Sequence, residues 1–187
     1  MPCDTKGHWQ GWRVRQPMSV LRPGLLHFAY GCNMDPTGLS AVVGIQIASG
    51  WAARLPGWRL TFSQGGEGES GEEVAATLVE APGCWVYGVV FRLPRDVLPA
   101  LDAFEGVPEY YRRATLWVEP LGRRGRQAVM AYLGQPRWRV DEVAPPADYL
   151  RSVLRGGRHH GLPATYLDWV RHLARGEARD CYRLDAG

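Results

Sequence analysis

Lysine occurs once in these 187 residues, at Lys6, so the positive charge is carried almost wholly by arginine. The 22 basic residues face 19 acidic ones spread through the chain, and the formal net charge is only +3. Without a long or clustered Arg/Lys block, the basic footprint of a nucleic-acid binder is missing. The nearest approach to one, HWQGWRVRQP at 8–17, reads as part of a loosely attached N-terminal arm, residues 1–24. The opening MPCDTKGHWQ lacks the apolar segment of a secretory signal, which points to the cytoplasm. Pro36 to Ala53 is uncharged but contains Pro36, Gly38, Gly44, Gln46 and Gly50, and reads as buried core rather than a membrane span.

A C-x-x-C pair is also lacking. Cys3, Cys32, Cys84 and Cys181 are irregularly spaced, which fits reduced thiols better than a disulfide framework or a zinc site. The adjacent His159 and His160 point apart and lack H-x₃-H spacing, so no metal is expected. Neither repeat nor linker divides the chain, and 45% hydrophobic content suits one domain over 25–187.

What is present alternates between the two regular periods. His27 to Tyr30 reads as the end of a strand, and Leu39, Val42, Val43 and Ile47 follow at helical spacing behind Asp35 and Thr37 as candidate caps. WRLTFS (58–63) alternates as a half-buried strand. QGGEGESGEE (64–73) has no apolar residue and reads as a mobile loop able to act as a lid. Strands are expected at 84–93, 110–120 and 128–134, and a helix that presents Val97, Leu98, Leu101 and Phe104 on one face stops at Gly106. Two further helical patterns, around Tyr149 to Leu154 and Tyr166 to Leu173, are separated by RGGRHHGLP. The order implies an α+β domain with a strongly curved mixed sheet.

Two places carry chemistry. In LLHFAYGCNMDPTG a strand ends in Tyr30-Gly31-Cys32-Asn33 before a helix, which would present backbone N–H groups at the positive end of a helix dipole, a concavity suited to an anion. Taken alone, a plain turn is the better explanation. Glu105 ends an apolar helical stripe beside Phe104 and Val107, where apolar neighbours would raise its pKa and let one carboxyl group take and return a proton. A solvated helix-end glutamate is the ordinary alternative.

FAYGCNM, ARLPGWRLTF, GVVFRL, LDAFEGVPEYYRRATLWV, AYLG, PADYLRSVLRGG and GLPATYLDWV, in that order from about Leu25 to Leu173, resemble the γ-glutamylcyclotransferase family. The resemblance implies a small mixed β-barrel flanked by helices, no cofactor or metal, and release of 5-oxoproline from a small γ-glutamyl substrate. It further implies that Glu105 is the acid/base. The backbone of Tyr30, Gly31, Cys32, Asn33 and Met34 would hold the glutamyl moiety, and the Tyr149 hydroxyl would touch it; Tyr132 is a weaker candidate for lining the pocket and is read first as a core aromatic. Nucleic acid and membrane are not expected partners, and the chain would be a monomer or homodimer. The family's turn usually has serine where Cys32 stands, and YGCNM is less like the glutathione branch, whose turn runs Tyr-Gly-Ser-Leu. The leaving group, an amino acid, an amine or a larger acyl-amine, stays open. Two rival readings remain: a Cys32 acyltransferase or amidase using His159, His160 or His172 as base, and a γ-glutamyl-binding protein without catalysis.

Overall fold

The computed structural model describes residues 24–47, 49–66, 74–178 and 180–183. Most of the N-terminal arm and the 67–73 part of the expected lid therefore lie outside the described residues. Five strands, β1 Leu25–Ala29, β2 Trp51–Gln64, β3 Ala75–Leu93, β4 Tyr111–Pro120 and β5 Gln127–Gly134, close into a barrel in the order β1-β3-β2-β4-β5. The neighbours are antiparallel except β1 and β5, which run parallel and meet at His27 and Met130 to close it. Helices α1 Pro36–Val43, α2 Leu98–Phe104, α3 Ala147–His159 and α4 Ala164–Ala174 accompany the barrel. This is the expected curved mixed sheet, closed.

Two strands run further than their sequence signals. The alternating stretches begin at Trp58 and Cys84, after Pro56-Gly57 and Pro82-Gly83. The chain instead passes through both pairs. Pro56 lies opposite Trp85 and Trp58 opposite Glu80, with a register shift between them, so the two dipeptides bend the paired strands at one place. Gly57 and Gly83 both take φ +81°, a conformation that favours glycine there. The bend lets two long strands wrap a core that contains Phe28, Leu55, Phe62, Leu78, Phe91 and Leu101. Gln64, expected in the loop, is the buried last residue of β2.

The thiol expectation needs correction as well. Cys84 of β3 and Cys181 form a disulfide with their Cα atoms 5.6 Å apart. The tail around it is docked: the Trp85 N–H donates to the Tyr182 carbonyl at 2.9 Å, and the Tyr182 ring packs edge-on against Tyr87 and Tyr166. Only tertiary docking brings positions 97 apart together, which spacing alone does not reveal. Among the described residues no helix is long and apolar enough to cross a membrane.

Candidate active site

The turn after β1 is a single 3₁₀ turn, Cys32–Met34, and it is not the N-terminus of a longer helix. Helix α1 begins afterwards, and its N-cap is Asp35, whose carboxylate accepts from the Thr37 N–H at 3.2 Å, with Pro36 in the first turn. The positive end of α1 is thus already occupied by a carboxylate, contrary to the expected open dipole. Asp35 also accepts two hydrogen bonds from the Arg155 guanidinium of α3.

Helix α3 lies directly on this turn, and its Gly156-Gly157 pair explains how. A Cβ on Gly156 would stand 2.3 Å from the Met34 carbonyl carbon and 2.4 Å from the Asp35 nitrogen. Glycines inside a helix cost about 1 kcal/mol each relative to alanine, and here Gly156 admits a backbone-to-backbone approach. The RGG stretch, expected as a separator, is helix interior. Gly31 serves a similar purpose from the other side. Its φ is −112°, so no left-handed backbone is needed, but a Cβ would come within 2.6 Å of the Tyr149 hydroxyl.

Glu105 is placed by the way α2 stops. The Val107 N–H donates to the Asp102 carbonyl at 2.9 Å and the Gly106 N–H to the Ala103 carbonyl at 3.2 Å, with Gly106 at φ +61°. This is a Schellman ending with Glu105 as its C-cap. The reversal turns neighbouring side chains apart: Phe104 is 54% exposed, not on the buried face as its spacing predicts, while Glu105 turns towards the turn after β1. There the Asn33 amide nitrogen donates to Glu105 Oε1 at 2.8 Å.

Between these elements lies a cavity of about 240 Å³. Gly31, Cys32, Asn33, Glu105 and Tyr149 line it, together with His27, Ala76, Phe104 and Tyr132. The Tyr149 hydroxyl accepts from the Ala76 N–H at 3.0 Å, and the Tyr111 hydroxyl donates to the Ala76 carbonyl at 2.8 Å, fixing both rings against β3. The Tyr30 hydroxyl donates to the Tyr132 carbonyl, and the Tyr132 hydroxyl donates to Asp102 Oδ1 at 2.7 Å.

Tyr30, Gly31, Cys32, Asn33, Glu105 and Tyr149, all singled out from sequence, come together here. Met34 does not join them. Its side chain is buried in the core and its N–H donates to the Gly31 carbonyl at 3.0 Å, holding the turn. Tyr132 is core and cavity wall at once. His27, Ala76 and Tyr111 were missed; only His27, the polar residue in LLHFA, carried a signal.

Burial sets the electrostatics. The Glu105 carboxyl is pushed up to about 7 by desolvation, opposed by the Asn33 hydrogen bond, which favours the carboxylate. The Cys32 thiol is pushed up to about 11, first by burial and then by the neighbouring Glu105 charge. The N–H groups of Asn33 and Cys32 and the Tyr149 hydroxyl favour its thiolate but are outweighed. None of the three bases proposed for a thiol enzyme lines the cavity. His160 is engaged with the Gly50 N–H and the Gly156 carbonyl, and His172 pairs with Glu177.

Known proteins resemble this chain in sequence and in fold. The family model described as gamma-glutamyl cyclotransferase, AIG2-like, matches residues 27–151. A human protein named gamma-glutamylcyclotransferase is 29% identical over 154 residues, 79% of this chain and 78% of its own. Its mouse namesake is 27% identical over 158 residues, 81% and 80% of the respective chains. A solved structure titled gamma-glutamyl cyclotransferase superposes with a TM-score of 0.71 at 24% identity, covering 87% of this chain and 94% of that one, which is likeness of fold. With two thirds of its length matched by the family model, and Glu105, Asn33 and the turn after β1 inside the match, the chain belongs to the gamma-glutamyl cyclotransferase, AIG2-like, family.

Proposed function

We propose that the protein releases 5-oxoproline and a free amine from a γ-glutamyl compound, with Glu105 as the group that moves the protons. In such a compound the α-nitrogen can close on the γ-carbonyl to form a five-membered lactam, but it rests as an ammonium. A carboxyl group with a pKa near 7 is well matched to take that proton at neutral pH and return it to the departing nitrogen. That single observation, a half-buried carboxyl group lining a cavity and steadied by Asn33, carries the reading.

The remaining parts have compatible tasks. The Gly31 to Asn33 backbone and Tyr149 offer polar groups for the glutamyl end. Holding the substrate folded for ring closure supplies proximity, which for well-oriented intramolecular reactions is worth roughly 7–11 kcal/mol. The exposed ring of Phe104 at the cavity edge offers an apolar surface to the leaving group. A Cys32 nucleophile is disfavoured by a thiol held near 11.

The test is to incubate the purified protein with γ-glutamyl amino acids, γ-glutamyl amines and glutathione and to follow 5-oxoproline by mass spectrometry. Release from one class, lost in Glu105→Gln, is the expected result. No release from any of them, or full activity in Glu105→Gln, would overturn the proposal.

A further inference from the structure

Helix α2 is held unevenly along its length. Val97 and Leu101 are buried, but Ala103 and Phe104 are exposed, so no apolar side chain fixes the stretch between Leu101 and the partly buried Val107. Glu105 stands in that stretch. Among the described residues, the side-chain polar contacts that join it to other elements are the Asn33–Glu105 hydrogen bond and those of Asp102.

Asp102 is held twice. Its backbone carbonyl accepts from the Val107 N–H at 2.9 Å, the bond that closes the helix end around Glu105. Its Oδ1 accepts from the Tyr132 hydroxyl at 2.7 Å and lies 3.4 Å from Nε of Arg113. Tyr132 and Arg113 are opposite one another on β5 and β4, so two adjacent barrel strands converge on one carboxylate oxygen. The Tyr132 ring is itself well fixed. It is buried, stands edge-on to the buried His27 ring at 5.7 Å, and its carbonyl accepts from the Tyr30 hydroxyl. Burial, then the Asp102 hydrogen bond, raises the Tyr132 pKa, so the phenol keeps its hydrogen and remains the donor. Positions three apart on a helix share a face. The bond that draws Asp102 onto Tyr132 therefore turns Glu105 to the same side, where Tyr132 and Glu105 both line the cavity.

We propose that Asp102 is a positioning residue: by binding Tyr132 on the barrel and closing the turn after Glu105, it sets where the Glu105 carboxyl stands in the cavity. The inference rests on Glu105 as the base of the cyclisation proposed above. Asp102 is not among the residues that line the cavity, and it moves no proton. Arg113 is 47% exposed, and an ion pair so open to water adds little; the hydrogen bond from Tyr132 is the effective link. Misplacing a reacting group by about 1 Å can cost roughly 10²-fold in rate.

Asp102→Ala cuts this link, and Tyr132→Phe cuts it from the other side. Either should lower kcat/KM roughly ten- to hundredfold, mainly through kcat, because the turn after β1 and Tyr149 lie on other elements. The double variant should lose no more than a single one. Asp102→Asn, whose side-chain oxygen still accepts from Tyr132, should recover most of the loss. The pH profile supplies a reading that a merely stabilising contact would not move. Once loosened, Glu105 meets more water, so its limb near 7 should move towards 4.5 in Asp102→Ala and stay in place in Asp102→Asn. A limb that moves alike in both would assign the effect to the Asp102 charge and overturn the inference. So would losses that add in the double variant, or Asp102→Ala with a lowered Tm but wild-type kcat/KM and limb. Should Asp102→Ala fail to fold, Tyr132→Phe against wild type gives the same readings. The Glu105 midpoint can also be followed without turnover, as the carboxyl ¹³C resonance that Glu105→Gln lacks. If the wild type releases no 5-oxoproline, the cyclisation is wrong; a Glu105 midpoint unchanged in Asp102→Ala removes Asp102 alone.

Discussion

The Asn33 amide donates to Glu105 Oε1 at 2.8 Å, joining the turn after β1 to the end of α2 across 72 positions of sequence. It is the one contact that favours the charged form of a carboxyl group otherwise driven towards neutrality. As the base, Glu105 must be ionised, so kcat/KM should rise with pH through a limb near 7. Asn33→Leu removes the opposing hydrogen bond, and the limb should move to higher pH, with activity at pH 6.5 reduced several-fold more than at pH 8. A pH–rate profile of both proteins checks this, and a limb that stays put in Asn33→Leu would separate Asn33 from the proton transfer.

The same carboxyl group makes stability depend on pH. Below its ordinary pKa of 4.5, Glu105 is protonated in both folded and unfolded chains. Between about 4.5 and 7 the unfolded chain releases a proton that the native state keeps, so this group's contribution falls as pH rises, and it levels off above 7. The loss is on the order of 3 kcal/mol. Glu105→Gln escapes it. Its Tm should match wild type near pH 4.5 and exceed it at pH 8; equal melting at both would mean the carboxylate is well solvated.

Cys32→Ser should keep activity within about fivefold, since a hydroxyl can occupy the thiol's place beside Tyr149, and wild-type Cys32 should react slowly with iodoacetamide at pH 7.5 because so little of it is thiolate. Abolished turnover in Cys32→Ser together with rapid alkylation would instead favour a thiol mechanism.

Reduction should loosen the tail before it harms the site. The Cys84–Cys181 bond closes a segment of about 97 residues, for which chain entropy gives roughly 4.7 kcal/mol, and neither cysteine lines the cavity. Dithiothreitol, or Cys181→Ser, should lower Tm by several degrees and leave 5-oxoproline release at 25 °C nearly unchanged. A Tm indifferent to reductant would mean the bond contributes little.

Gly156→Ala should be more damaging than any cavity-wall substitution of similar size. The added methyl meets the Met34 and Asp35 backbone, which cannot swing aside as a side chain can. We expect losses of both Tm and kcat/KM, whereas alanine at Gly161, where φ is +69° but the space is open, should cost stability alone.

Much of this was legible because it is local. Alternation marked β4, β5 and the ends of β2 and β3; Asp35 marked the start of α1; the FEG sequence marked the end of α2. What was not legible depends on neighbours. The parts of β2 and β3 before Trp58 and Cys84 show up only once Pro56-Gly57 and Pro82-Gly83 are seen to bend together. Phe104 leaves its expected buried face because a Schellman ending turns the chain over, while Glu105 meets the sheltered surroundings expected of it. The disulfide needed the tail docked on Tyr87, and the His27 imidazole reads as an interruption in an apolar run until the cavity beside it is known.

Helix α3 reaches the site from the far end of the chain, setting Tyr149 beside Gly31, Arg155 on Asp35 and Gly156 against Met34. During synthesis the turn and the Glu105 helix emerge long before the segment that clamps them. A nascent chain stopped at residue 140 would hold the proposed base and no finished pocket, which delays chemistry on γ-glutamyl compounds until translation is nearly done. For the same reason α3 supplied separately as a peptide would be the natural piece with which to switch such a truncated chain on.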